Sequence, residues 1–120
     1  MTEPRTASQT IVDAVTSWPG VETALGERGE LSIRLGRREI GHLHGDHAAH
    51  FGFPRQVAAE LRETGRIGPH PAFPDNPGWG ARRIRDEADV HDVIALMRLN
   101  YDRAVARHGL PSAVGSSGST

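Results

Sequence analysis

Apolar residues recur along the chain at two spacings, and the alternation between those spacings predicts its elements. Ile11, Ala14, Val15 and Trp18 stand at i, i+3, i+4 and i+7, one stripe of an amphipathic helix. Thr6 and Gln9 have capping-box spacing before it, and Pro19-Gly20 stops it. The polar residues 1–6 are expected to be frayed. A first strand is expected over Val21 to Arg28, weakened by Gly26 and Gly29. In the next segment Leu31, Ile33 and Leu35 alternate with Ser32 and Arg34, the pattern of a half-buried strand. Gly36-Arg37-Arg38 reads as a hairpin turn without the favoured Asn-Gly pair. A strand Glu39 to His44, a turn at Gly45-Asp46 and a short strand His47 to Phe53 follow. Pro54 suits the first turn of a helix whose buried stripe is Val57, Ala58 and Leu61, with Gly65 as the residue that ends it. Residues 66–80, crowded with proline and glycine, predict a long irregular loop. Gly80 to Arg85 reads as the last strand. Asp86 then caps a final helix with Glu87 and Asp89 in its first turn. Val90, Val93, Ile94, Met97, Tyr101 and Ala104 form its stripe, widened by Leu96 and Leu99, and it should end near His108-Gly109.

The predicted order is α-β-β-β-(β)-α-loop-β-α. It implies an α+β domain over residues 7–109, with a small antiparallel sheet of four to five strands and helices packed on one face. The other face is left for water, a ligand or a second subunit. Residues 110–120 read as an unstructured Ser/Gly tail.

Composition narrows the functions such a domain can have. The 120 residues suit one domain, and 37% hydrophobic with 24% charged residues is ordinary globular material. Net charge is −1, from 14 basic and 15 acidic residues, so the basic surplus that supports nucleic-acid binding is missing and no nucleic-acid partner is expected. The absence of cysteine excludes disulfides, a thiol nucleophile and thiolate metal ligands. No stretch approaches the ~20 apolar residues of a membrane span, and no signal-peptide pattern opens the chain. A cytoplasmic protein without a membrane partner is expected. G-x-S-x-G, P-loop and G-x-G-x-x-G motifs are all missing.

Histidine is the residue type in surplus. Seven are present, and five fall between His42 and His70. On a strand, His42 and His44 point to the same face. Such a pair can serve as a general base near neutral pH or chelate a metal with His47, His50 or Asp46 as further ligands. The plainer alternative is a half-exposed strand beside a solvated turn. The second concentration is the loop Gly68 to Trp79, in which prolines stiffen the backbone around His70 and Asp75 and Trp79 can wall a pocket. Trp79 and Phe73 could equally pin the loop to the core.

Together these residues predict a small-molecule pocket, in a binding protein or small enzyme, between the His-x-His strand and the loop. His42, His44 and His70 are its candidate catalytic residues. Trp79, Asp75, Arg34, Arg85 and Tyr101 are its candidate ligand contacts, with an arginine holding any anion. The first alternative is a non-catalytic interaction module, as monomer or homodimer, using the open sheet face. The second is a transition-metal protein.

Glu39-Ile40-Gly41-His42-Leu43-His44, His50-Phe51-Gly52-Phe53-Pro54, His70-Pro71, Pro74-Asp75 and Gly78-Trp79 together resemble the family called luciferase domain. The ending, Ile84-Arg85 through Asp89-Val90 to Leu96-Met97-Arg98-Leu99-Asn100-Tyr101, does so too. The likeness covers roughly residues 10–105. It implies no reaction, cofactor or catalytic residue, and no flavin signature is visible. The family pattern carries an acidic residue shortly before the Phe-Pro pair, where this chain has Ala48-Ala49-His50. The element order is also similar in architecture to small proteins of the YjbR type, a likeness that implies nothing about function.

Overall fold

The computed structural model describes residues 5–111. Most of the expected frayed start and Ser/Gly tail therefore lies outside the described residues. Three helices and six strands follow in the order α1 (Ala7–Thr16), β1 (Val21–Leu25), β2 (Leu31–Leu35), β3 (Arg38–His44), β4 (Ala48–Gly52), α2 (Arg55–Glu63), β5 (Gly68–Pro69), β6 (Trp79–Arg83) and α3 (Glu87–His108). The sheet order is β1-β2-β3-β4-β6-β5, and every pair is antiparallel. The fold is thus α+β as expected, with one more strand than the upper count. No helix among the described residues is long and apolar enough to cross a membrane.

The helix caps form where side-chain chemistry asks for them. Thr6 and Gln9 close a reciprocal capping box on α1. Asp86 accepts from the Asp89 N–H at the start of α3, and Gly109 ends that helix at φ 74°. The first strand stops at Leu25 rather than Arg28, because Gly26 N–H turns back to the Glu30 carbonyl (2.8 Å). The last strand ends at Arg83, two residues short of the expected Arg85. The proline-rich loop also contains regular structure, contrary to expectation. Gly68 and Pro69 pair with Ala81 and Gly80 as an edge strand, where a proline's missing N–H leaves no gap in the ladder.

One face of the sheet is apolar and covered. Ile33 and Leu35 of β2, Leu43 of β3, and Ala49 and Phe51 of β4 meet Ile11 and Val15 of α1 and Val93, Leu96 and Met97 of α3 in a single core. Helix α3 can lie against β3 because residue 41 is glycine. A Cβ there would stand 2.6 Å from Met97 Sδ and 3.1 Å from Phe51 Cδ1. Gly41→Ala should therefore cost about 1–3 kcal/mol through overpacking. In a domain of this size that lowers Tm by roughly 4–8 °C per kcal/mol, which calorimetry can measure.

A β-bulge in β3 decides what the opposite face carries. Ile33 pairs with Gly41, yet Arg34 pairs with Glu39, so Ile40 is an extra residue in the ladder. Ile40 is buried in the core, and its carbonyl accepts from Asn100 Nδ2 of α3 (3.1 Å). Without the extra residue, Glu39 and His42 would point to opposite faces. With it they share one.

Candidate functional site

The open face of the sheet is built around one cross-strand row. Ser32, His42, His50, Ala81 and Gly68 stand opposite one another on five neighbouring strands. His44 is the next outward-pointing residue on β3, and its ring centroid lies 5.0 Å from that of His42 and 4.2 Å from that of His50. The small Ala81 and Gly68 leave room for the loop, which brings the His70 ring to 4.4 Å from His50. Trp79 follows at 5.4 Å from His70, and Phe73 meets Trp79 edge-on at 4.7 Å. The result is a cavity of about 290 Å³ with His42, His44, His50 and His70 against Phe73 and Trp79. Arg28 and Glu30 also line it, and a smaller space of about 210 Å³ continues past Glu39 and Gly52.

Hydrogen bonds fix the orientation of the histidines. Glu39 Oε1 is 2.9 Å from His42 Nδ1, while Glu39 Oε2 accepts from the Ser32 hydroxyl (2.6 Å). An ionised carboxylate only accepts, so Nδ1 of His42 carries a proton, and a neutral ring then presents Nε2 as a lone pair. That lone pair faces His50 Nδ1 at 3.3 Å. Burial is the largest influence on Glu39 and pushes its pKa upward, but the bonds from His42 and Ser32 outweigh it and leave the carboxyl below its usual range. His70 is set differently, because its Nδ1 accepts the Ala72 N–H (3.1 Å). A neutral His70 therefore holds its proton on Nε2 and is a donor.

Electrostatics keep most of this cluster uncharged. His50 is buried, and its pKa falls to about 4, first through burial and then through the neighbouring His44, His70 and His42. His44 and His70 are also lowered, in both cases first by burial and then by the surrounding imidazoles, with Glu30 opposing the shift at His44. Near pH 7 these three rings are neutral, so their unprotonated nitrogens can accept a proton or ligate a metal.

The structure gathers some of the sequence candidates and separates others. His42, His44, His70 and Trp79 converge, and His50 lies at their centre. Asp46 instead accepts from the Ser8 backbone at the start of α1 (2.8 Å), and His47 lies in the turn before β4, so neither joins the other three in a ligand group. Tyr101 is buried on the helix side, with its hydroxyl donating to the Pro19 carbonyl (2.8 Å). Arg85 turns to Asp89, and Arg34 donates through Nε to the Ser32 hydroxyl (3.0 Å). Asp75 is exposed and lines neither of the two spaces. Reading the sequence alone missed Glu39, Glu30 and Arg28. The Glu39 position depends on the bulge, and an i, i+3 pair on a strand gives no sign of one.

A family model described as the luciferase domain matches residues 37–100, just over half of the chain. No curated protein and no solved structure matches it. The matched segment contains Glu39, all four clustered histidines, Phe73 and Trp79.

Proposed function

The chain belongs to the luciferase domain family, and from that premise we propose that its histidine face is a pocket for a small molecule with an apolar body and a polar end. One observation carries this reading. Four imidazoles and two large aromatic side chains converge on one cavity from three strands and a stiff loop, all within the segment that matches the family. A mainly apolar wall with a few fixed polar groups is the usual make-up of a small-molecule site. In the enzymatic form of the proposal, the exposed, neutral His44 accepts a proton and His70 Nε2–H donates a hydrogen bond to the ligand. Arg28 at the rim is the cation available for an anionic group, since Arg34 and Arg85 are turned to Ser32 and Asp89.

The two tryptophans make the test specific. Trp79 is at the pocket, while Trp18 packs on Tyr101 on the helix side (5.4 Å). A panel of small aromatic acids, phenols and amides should move the Trp79 indole NMR signal and leave that of Trp18 in place. Trp79→Ala or His70→Ala should weaken the responding compounds. A panel that moves neither indole nor any of the clustered imidazoles would refute the pocket.

A second reading rests on the exposure of Phe73 (52%) and Trp79 (40%), which suits docking of a second copy over the pocket mouth. A specific dimer would bury on the order of 1,200–2,000 Å². It should dissociate in Phe73→Ser, as seen by light scattering, whereas a monomer at high concentration removes this alternative.

A further inference from the structure

We propose that His42, His44 and His50 bind one divalent transition metal of the zinc class and leave one coordination position open to the pocket. The inference needs the pocket reading only for what occupies that open position. One ring nitrogen from each of the three histidines lies within 4.8 Å of the others. Two nitrogens at about 2.0–2.1 Å from a tetrahedral ion stand about 3.3–3.4 Å apart. His42 Nε2 and His50 Nδ1 already have that separation, at 3.3 Å. His44 supplies the third corner, with a ring nitrogen within 4.8 Å of the other two.

The surroundings match what a metal site requires. Glu39 bonds to His42 Nδ1, so the ring is oriented by a carboxylate and its Nε2 faces the site, the usual arrangement behind a metal-bound imidazole. The Ser32 hydroxyl in turn holds the other oxygen of Glu39. His70 is close but is not a ligand, because its Nδ1 is occupied by the Ala72 N–H and its Nε2 carries the proton. Three protein ligands make an open site rather than a closed structural one. The open position would take water or an oxygen or nitrogen donor from the small molecule, beside the Nε2–H of His70. All-imidazole ligation without thiolate suits zinc, copper, nickel or iron and disfavours calcium and magnesium.

Untagged full-length protein, stripped with chelator and titrated with zinc in a calorimeter, should bind one equivalent. Cobalt should give the intense visible absorption of a four-coordinate ion. His44→Ala, at an exposed position, should lower affinity by more than about a hundredfold, because loss of a group that merely orients a metal ligand already costs about 10–100-fold. Glu39→Gln should fall within that 10–100-fold range, and His47→Ala, in the turn outside the ligand group, should bind zinc as the parent does. Circular dichroism of each variant separates lost ligation from lost folding, and His44→Ala keeps the test open if the buried His50→Ala does not fold. Absence of stoichiometric binding overturns the proposal. So does binding that survives His42→Ala with His44→Ala, or binding that is lost in folded His47→Ala. Aromatic probes that shift Trp79 in stripped protein that takes up no zinc would leave the pocket standing and remove the metal. Zinc binding with no probe response would do the reverse.

Discussion

Asp89→Ala is expected to destabilise the protein by about 3 kcal/mol, measured as a lower urea midpoint at unchanged m-value. Asp89 is 5% exposed and accepts from Arg82 Nη2 (2.6 Å) and from the Arg85 backbone N–H (2.9 Å). Those bonds, Arg82 first, hold its pKa down to about 2. Arg82 is on β6 and Asp89 in the first turn of α3, so the pair ties the strand that follows the pocket loop to the helix that backs the sheet. Removing one partner of such a pair leaves the other charge partly buried without its counterion, which typically costs 3–5 kcal/mol. The lower end applies, because Arg82 Nη1 keeps Asp92 (2.6 Å). Asp89→Asn should lose less, since one amide oxygen can still accept from Arg85. If Asp89→Ala unfolds at the parent's midpoint, the pair contributes nothing to holding β6 against α3.

The helices and the element order were legible because their signals are local. Caps at Thr6 and Asp86, and apolar stripes through Val15 and Val93, need no knowledge of distant residues. The shared face of His42 and His44 was legible for the same reason, since it follows from strand geometry alone. The rest of the site depends on register. A two-residue turn at Gly45-Asp46 would place His42 opposite Ala49. The actual turn includes His47, so His44 pairs with Ala48 and His42 with His50. One residue of slip exchanges every side chain between the two faces. It is the difference between His50 as a peripheral candidate and His50 at the centre of the cluster. The bulge at Ile40 acts in the same way on Glu39. The Ile40 carbonyl at the bulge is satisfied from sixty residues away, by the Asn100 side chain. Arg85 and Tyr101 misled for a related reason. Their residue types suit a ligand, but Asp89 and the Pro19 carbonyl take up their polar atoms on the helix side of the sheet.

In metal-free protein, stability should fall as pH drops from about 6.5 to about 4, and His50 should account for the largest single part of that fall. An imidazole in the unfolded chain titrates near 6.5. In the fold, His50 titrates at about 4, because burial and the rings of His44, His70 and His42 oppose its charge. Between those values the unfolded chain binds a proton that the folded chain does not, so acid favours unfolding. The stabilisation is complete above pH 6.5, declines through the window, and loses nothing more from this group below about pH 4. The difference between 6.5 and about 4 corresponds to at most about 3.4 kcal/mol, part of which belongs to His44 and His70 because the rings oppose one another's charge. Asp89 acts in a separate window. Its pKa is depressed from 3.8 to about 2, so its contribution is held until the pH falls below about 4. Urea midpoints of chelator-treated protein at half-unit steps from pH 7.5 to 4 test this directly. His50→Asn should flatten the curve between pH 6.5 and 4. A variant curve parallel to the parent's through that window would mean that His50 accepts its proton in the fold as readily as in the unfolded chain. The crowded, neutral cluster would then not exist as described.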